Sequence, residues 1–224
     1  EKLWKYLKNK NFLKRLISSA FLIPLSFYFI FKGSWFFSFF LIICFLITIY
    51  EWHMMSKNKS YIFYGYLFII FSFYSVYIIR NDLGDNSLFI FLFILITSIS
   101  TDIGGYVFGK IFKGPKLTKI SPKKTYSGVF GGYILSLIIV SLFLNYSNFI
   151  TKNIFTINFS KIFLILIISS ISQVGDLIVS YFKRLSKIKD TGRLIPGHGG
   201  ILDRIDGMIF AFPFYFLLHL FGLF

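Results

Sequence analysis

The chain has 224 residues, of which 56% are hydrophobic and 22% aromatic, and its formal net charge at pH 7 is +15. A water-soluble domain of this length has a clearly lower apolar fraction, so the composition excludes that class. The apolar runs are continuous rather than alternating, which excludes the strand pattern of a membrane β-barrel. A single cysteine, Cys44, excludes a disulfide within the chain. We therefore expect an all-α, multi-pass integral membrane protein with one domain over 1–224.

Seven runs are long and apolar enough to cross a bilayer, because about 20 apolar residues in a helix span its hydrocarbon core. The predicted spans are 12–31, 33–52, 61–79, 87–108, 128–146, 160–181 and 202–222. The basic segment 1–11 precedes the first span, and we expect it to lie as a short helix at the membrane interface. No small-residue cleavage site follows the first run, so we expect 12–31 to be retained rather than removed as a signal peptide.

Two polar segments, 109–127 and 182–201, are too basic and too marked by Gly and Pro to cross the membrane. With seven spans, all Lys and Arg residues except Lys32, Arg80, Lys152 and Lys161 fall on the same side of the bilayer. Cationic loops stay cytoplasmic, so the asymmetry predicts a cytoplasmic N-terminus and places both polar segments in the cytoplasm. This one-sided distribution argues against nucleic-acid binding. Topology and attraction to anionic lipid account for the six basic residues of the N-terminus. They explain the basic residues of 109–127 and 182–206 only incompletely, because acidic residues accompany them.

Most of the nine acidic residues lie at predicted cytoplasmic ends of spans or in the cytoplasmic loops. They are Glu51, Asp102, Asp176, Asp190, Asp203 and Asp206. Asp102 and Asp176 lie inside apolar runs, where a carboxylate costs a few kcal/mol and therefore marks function. Asp203 and Asp206 are three residues apart, which predicts one helix face. Several Asp oxygens at one level suit a hard cation such as Mg²⁺.

The alternative interpretation pairs each Asp with a neighbouring cation that neutralises it. For Asp190, with Lys189 and Arg193 nearby, this is as well supported as a functional role. It is less well supported for Asp176, because the nearest cations along the helix, Lys183 and Arg184, are about two turns away.

Lysines, hydroxyl residues and glycines accompany these acids. The stretch "KISPKKTYSG", residues 119–128, places lysines beside Ser121 and Thr125. The stretch "PGHGG", residues 196–200, predicts a loop whose bare backbone approaches a ligand closely and directs N–H groups at an anion. Carboxylates for a metal, with lysines and a glycine loop for phosphates, are typical of phosphoryl or nucleotidyl transfer. At the cytoplasmic membrane surface they predict one water-soluble phosphate substrate and one lipid.

The segment "SYFKRLSKIKDTGRLIPGHGGILDRID", Ser180 to Asp206, resembles the C-terminal motif of phosphatidate cytidylyltransferases, also called CDP-diacylglycerol synthases. Every fixed polar or glycine position of that motif is filled, namely Ser180, Lys183, Arg184, Lys189, Asp190, His198, Gly199, Gly200, Asp203, Arg204 and Asp206. "TDIGGYVFGK" is similar to the family's D-T-G-A-Y-x-x-G segment, with Ile103 and Gly105 as departures. "KISPKKTYSG" follows its S-P-K-K-T pattern, and Glu51-Trp52 resembles its E-W pair.

The resemblance implies that CTP and phosphatidate react to CDP-diacylglycerol and pyrophosphate, with Mg²⁺ as cofactor, alone or with a second cation. It implies Asp176, Asp203, Asp206, Lys183 and Arg184 as catalytic residues. The implied substrate-binding residues are Ser121, Lys123, Lys124, Thr125, Lys189, His198, Gly199, Gly200 and Arg204. The implied metal-binding residues are Asp102, Asp176, Asp190 and Asp203. Because some family members are dimers, it also leaves a homodimer open.

Two other functions are compatible with part of the pattern. A CDP-alcohol phosphotransferase also uses Asp residues and a metal at the membrane surface, but "DRIDG" does not extend into its longer motif. A cation-coupled transporter would place Asp102 and Asp176 along a path through the membrane, whereas the acids here collect at one side of it. The predicted location of the protein is a bacterial-type inner membrane, in contact with bilayer lipids.

Overall fold

The computed structural model describes residues 10–151, 158–192, 194–195 and 199–223, with side chains at 17–147, 158–192, 194–195 and 199–223. Within these ranges all regular structure is helical and no strand occurs, which confirms the all-α prediction. In chain order the helices are α1 (Lys10–Lys32), α2 (Ser34–Ser56), α3 (Ile62–Asn81), α4 (Ser87–Phe112), α5 (Tyr126–Thr151), α6 (Phe159–Leu185), α7 (Leu202–Ile205) and α8 (Met208–Leu220).

Five stretches of helix are long and apolar enough to cross a membrane. They are Ser34–Ser56, Ile62–Asn81, Ser87–Phe112, Tyr126–Ser147 and Phe159–Leu185. Two further apolar helical stretches, Ile17–Lys32 and Met208–Leu220, are shorter. Each of these seven stretches overlaps one of the seven predicted runs. The number of membrane crossings and their orientation stay predictions.

Helix ends differ from the ends of the apolar runs in three places. Helix α4 continues to Phe112, four residues beyond the predicted span, and is followed by Lys113 and Gly114 with positive φ. Helix α6 continues to Leu185, because a polar sequence that favours helix extends the hydrogen-bonded ladder beyond the apolar stretch. The predicted span 202–222 is instead interrupted at 206–207, between α7 and α8.

The described residues divide into two compact units. The first contains the residues up to Gly84 together with Phe182–Ile205, and the second contains Asp85–Tyr181 together with the residues from Asp206 on. The prediction of one domain over 1–224 stays a prediction.

In the first unit, α2 packs against α1, α3 and α7. The Trp52 ring near the end of α2 meets the Phe182 ring edge-on, with centroids 5.2 Å apart. The indole N–H of Trp52 donates to the carbonyl of Ile62, 3.0 Å away. Ser186 donates its hydroxyl to the carbonyl of Met55 at 2.7 Å. These contacts attach the segment that follows residue 182 to the end of α2, where Glu51 also lies.

In the second unit, α4 and α5 approach closely because glycines face each other. A Cβ added at Gly104 would lie 2.9 Å from the Cβ of Leu135 and closer still to the carbonyl of Gly131. Small residues allow membrane helices to pack backbone against backbone. The hydroxyl of Thr101 donates to Ser169, 2.9 Å away, which ties α4 to α6 beside this contact. The packing positions Asp102 on α4 and Asp176 on α6 within one unit.

Adding one methyl group at Gly104 should therefore destabilise the second unit, while the same change at Gly105 should not. At Gly105 the nearest atom to an added Cβ is the Gly128 carbonyl oxygen, at an ordinary contact distance of 3.7 Å. We expect Gly104→Ala to cost about 1–3 kcal/mol of stability through overpacking. Gly105→Ala should be neutral or slightly stabilising, because Ala is the better helix former. Thermal unfolding of both variants in detergent compares them, and equal melting temperatures would contradict the packing argument.

Candidate functional site

In the first unit, the Asp203 carboxylate is the centre of a polar cluster. Its Oδ1 accepts a hydrogen bond from the Lys183 ammonium, 2.9 Å away, and both side chains are about nine-tenths buried. Its Oδ2 accepts from the backbone N–H groups of Thr191 (2.8 Å) and Gly200 (3.0 Å). The Thr191 hydroxyl lies 3.1 Å from the same oxygen. Burial of this ion pair is tolerated because the remaining lone pairs of the carboxylate are also satisfied.

These contacts shift the ionisation of Asp203, which lies ahead of the last apolar helix. Burial alone would raise the pKa of its carboxyl group. The hydrogen bond and charge of Lys183, with the N–H groups of Gly200 and Thr191, favour the charged form more strongly, and the net effect is a lowered pKa. Asp203 is therefore a carboxylate at neutral pH.

Acid should remove this stabilisation. A carboxyl group whose pKa is lowered by folding stabilises the protein fully above its unfolded pKa, about 3.9 for Asp, and loses the effect as pH falls through the folded value. We expect the melting temperature of wild type to exceed that of Asp203→Asn by a constant margin from about pH 7 to pH 5. The margin should shrink below about pH 4. Thermal unfolding across this range measures it, and a margin that does not change with pH would contradict the assignment.

Glu51 belongs to the same cluster. It is 1% exposed, and its carboxylate accepts hydrogen bonds at 2.9 Å from the backbone N–H groups of Ile201 and Leu202. The Thr191 hydroxyl lies 2.9 Å from its Oε2. Thr191 therefore stands between the carboxylates of Glu51 and Asp203.

Other predicted residues of this unit lie around the cluster or outside it. Gly199 has φ +88°, and a Cβ there would lie 2.8 Å from Asp203 Oδ2, so the position favours glycine for both conformation and space. Four predicted residues have exposed side chains, namely Arg184, Lys189, Asp190 and Arg204. Arg184 also donates to the carbonyl of Ile188 at 3.2 Å. Two other residues of this segment, Arg193 and His198, lie outside the described residues.

The second unit holds a separate carboxylate–lysine pair. The Lys124 ammonium lies 2.5 Å from Asp176 Oδ2, and both side chains are about a quarter exposed. Ser180, one helical turn further along α6, donates its hydroxyl to Asp176 Oδ1 at 3.3 Å. Asp102 on α4 is exposed and within electrostatic reach of both Asp176 and Lys124. These residues form an acidic pair with one cation between α4, α6 and the loop 113–125.

Hydrogen bonds within and next to the loop 113–125 hold it in place. Two of the predicted substrate-binding residues, Ser121 and Thr125, take part in these bonds. The hydroxyl of Thr125 accepts from the N–H of Gly128 at 3.2 Å, as an N-cap residue of α5 does. The carbonyl of Ser121 accepts from the N–H of Lys124 at 3.0 Å, closing a turn. Lys123 in this turn is exposed. The turn thus holds Lys124 in position, and Lys123 points to the surface.

Asp206 is buried and follows the end of α7, so the predicted helix that contains both Asp203 and Asp206 is not observed. The helix Leu202–Ile205 is only one turn long and ends before Asp206. Asp206 Oδ1 accepts from the N–H of the next residue, Gly207, at 3.0 Å. An added Cβ at Gly207 would collide with the side chain of Ser172, which explains the glycine at this turn.

Comparison with known proteins identifies the family. A model of the cytidylyltransferase family matches residues 60–221. The chain belongs to the cytidylyltransferase family. The phosphatidate cytidylyltransferase of Rickettsia typhi is 37% identical over 221 residues, which cover 95% of this chain and 93% of the relative. That of Rickettsia bellii is 32% identical over 98% of this chain and 95% of the relative. That of Haemophilus influenzae is 40% identical over 62% of this chain and 48% of the relative.

The cytidylyltransferase match includes both carboxylate–lysine pairs but not Glu51, which precedes residue 60. The sequence had pointed to Glu51 only through its Trp52 neighbour and its position at the end of a span. Thr191 carried no signal, because a threonine in a polar loop is common. The structure assigns both a place beside Asp203.

The donor chemistry of this cytidylyltransferase family member fits Mg²⁺ in part. Among the residues whose side chains are described, no three His, Cys, Asp or Glu side chains are placed so that they could hold one metal ion. Mg²⁺ is usually held by one or two carboxylates together with waters and substrate phosphates, so a smaller set is sufficient. Asp176 is about a quarter exposed and pairs with Lys124, whereas Asp203 is mostly buried and its Oδ1 pairs with Lys183. Both are carboxylates, the type of donor that Mg²⁺ takes from a protein, and each already has a lysine ammonium beside it.

Proposed function

We propose that the protein is a magnesium-dependent phosphatidate cytidylyltransferase that converts CTP and phosphatidate to CDP-diacylglycerol and pyrophosphate. The observation that carries the proposal is the occurrence, within the family match, of two carboxylates each held by a lysine in the structure. Those pairs are Asp203 with Lys183 and Asp176 with Lys124. The choice of CTP and phosphatidate as substrates follows from the relatives, which are named phosphatidate cytidylyltransferase.

The reaction requires charge control more than proton transfer. A phosphate oxygen of phosphatidate attacks the α-phosphorus of CTP, the new P–O bond forms, and the bond to pyrophosphate breaks. Phosphatidate is already an anion at neutral pH, so no strong general base is needed. Asp203 in the first unit and Asp176 in the second are each proposed to bind Mg²⁺, which when bound would supply positive charge against the repulsion of the two anions and against the charge on the leaving pyrophosphate.

The residues of the chain then have distinct proposed roles. Lys183 and Lys124 already face carboxylates, and an arriving phosphate would give each ammonium a second anionic partner. Gly199 and Gly200 leave the backbone without side chains beside Asp203, and they are proposed to let a phosphate approach closely. Asp102 and Asp190 are proposed as further metal-binding residues, and Asp206 as a further carboxylate among the catalytic residues. The exposed Lys123, Arg184, Lys189 and Arg204 are proposed to attract the phosphates of both substrates.

We further propose seven membrane crossings with a cytoplasmic N-terminus, which follows from the distribution of Lys and Arg. The chemistry would then occur at the cytoplasmic face of a bacterial inner membrane, where CTP is available. A homodimer is part of the proposal, and its test is the oligomeric state of the purified protein in detergent.

The experiment is incorporation of labelled CTP into a lipid product by purified protein with phosphatidate, with Mg²⁺ and then with excess chelator. We expect CDP-diacylglycerol with Mg²⁺ and a return of activity when Mg²⁺ is restored after chelation. The other three nucleoside triphosphates, each labelled and assayed in place of CTP, serve as control substrates. Product formation that persists in chelator would refute the magnesium requirement, and a folded protein without product would refute the reaction.

A further inference from the structure

Glu51 is a carboxylate that the reaction described above does not use. It lies in the apolar helix α2, five residues before its end, and is 1% exposed. A buried carboxylate is costly unless hydrogen bonds satisfy it. Three donors approach it at 2.9 Å, namely the N–H groups of Ile201 and Leu202 and the hydroxyl of Thr191. All three belong to the segment that also holds Asp203.

The two carboxylates use neighbouring donors of one short segment. The N–H of Gly200 donates to Asp203, and the next two N–H groups along the chain donate to Glu51. The N–H of Thr191 donates to Asp203, and its hydroxyl lies within hydrogen-bond distance of both acids. A hydroxyl has only one proton, so Thr191 donates to one carboxylate at a time or shares the proton between them. A substitution at Glu51 should therefore change the hydrogen bonds that Asp203 accepts from this segment.

The backbone around Glu51 is shaped to admit its carboxylate. An added Cβ at Gly192 would lie 2.6 Å from Glu51 Oε1, and one at Gly200 would collide with both carboxylate oxygens and with the Thr191 hydroxyl. The segment therefore has glycine at two points where Glu51 contacts it. Such a fit indicates a fixed orientation rather than a loosely accommodated charge.

We propose that Glu51 is a positioning residue for the transfer reaction. Glu51 accepts hydrogen bonds from the N–H groups of Ile201 and Leu202 and from the hydroxyl of Thr191, and it thereby sets the orientation of the Asp203 carboxylate. In this orientation Oδ2 of Asp203 accepts from backbone N–H groups and Oδ1 faces the Lys183 ammonium. The inference rests on the proposed function for its effect on rate. The effect on Asp203 itself is independent of any substrate.

The first test compares Glu51→Gln with wild type. The Gln side chain has the same shape but directs an NH₂ group at one of the donors, so the segment should shift. We expect kcat to fall about 10- to 100-fold, as for partners that orient a metal ligand. The Mg²⁺ concentration for half-maximal rate should rise, and the KM for phosphatidate should stay within about twofold. Asp82→Asn removes one negative charge at an exposed position of the same unit and should retain wild-type kinetics.

The second test uses amide hydrogen exchange, which needs no activity. In Glu51→Gln the amides of Ile201 and Leu202 should exchange faster, because they lose their acceptor. The deciding amides are those of Thr191 and Gly200, which donate to Asp203 and not to Glu51. Faster exchange there shows that Asp203 has moved. Unchanged exchange at these two amides would overturn the inference, because Glu51 would then affect only the groups that donate to it and not the orientation of Asp203.

The third test uses Thr191, so that the inference stays decidable if Glu51→Gln does not fold. Thr191→Ser keeps the hydroxyl and should retain kcat, whereas Thr191→Val keeps the shape and should lose about tenfold or more. Equal rates for the two variants would contradict the coupling. If wild type makes no lipid product, the proposed function fails, and exchange at Thr191 and Gly200 in whichever variant folds decides the positioning role by itself.

Discussion

Replacing Asp203 with asparagine should lower kcat for CDP-diacylglycerol formation by about 10²- to 10³-fold, as the loss of one preorganised electrostatic group does. Asparagine removes the charge that faces Lys183 at 2.9 Å. Its amide also offers only one acceptor oxygen, where Asp203 uses both oxygens for four hydrogen-bond donors. Both the proposed cation site and the local backbone are therefore affected.

The measurement is initial rate with labelled CTP, together with thermal unfolding to show that the variant is folded at the assay temperature. Asp82→Asn is the matched control, since it makes the same substitution at an exposed position of the same unit. Retention of more than about a tenth of the wild-type kcat by a folded Asp203→Asn protein would refute the catalytic assignment.

Replacing Asp176 with asparagine should have an effect of similar size, about 10²- to 10³-fold on kcat. This substitution also leaves Lys124 without the carboxylate that lies 2.5 Å away. Removing one member of an ion pair leaves the other charge uncompensated, so we expect the melting temperature to fall as well. Lys124→Met should lower the melting temperature for the same reason.

The double variant Asp176→Asn/Lys124→Met separates stability from chemistry. Its melting temperature should recover toward that of wild type, because neither charge is left unpaired, while its kcat should stay low. Asp85→Asn, an exposed substitution in the same unit, is the control. Recovery of both properties in the double variant would mean that the pair only stabilises the second unit.

The sequence predicted the helical class and the residues of the Ser180–Asp206 motif, because hydropathy and local spacing are properties of neighbouring residues. It could not predict that Lys124 pairs with Asp176. Sequence proximity pointed to Lys183 and Arg184, whereas the partner comes from a loop beyond a helix. The pairing depends on how α5 packs, which no local pattern records.

The break between α7 and α8 was missed for a related reason. Averaged over about 20 residues, the apolar side chains after residue 207 outweigh the polar ones before it, so 202–222 is predicted as one span. The chain instead turns at 206–207, where Asp206 is buried and Gly207 lies against Ser172. Likewise, α7 ends at Ile205 and does not include Asp206, which the spacing of three residues had placed on one helix face with Asp203.

The long sequence separation between Glu51 and its donors affects how the protein is made. Glu51 leaves the ribosome with α2, but the hydroxyl of Thr191 follows 140 residues later and the N–H of Leu202 follows 151 residues later. At about 5–20 residues per second, translation leaves the carboxylate without these partners for roughly 7–30 s. During that interval Glu51 must be hydrated at the membrane surface, and its burial completes only when the last part of the chain has been synthesised.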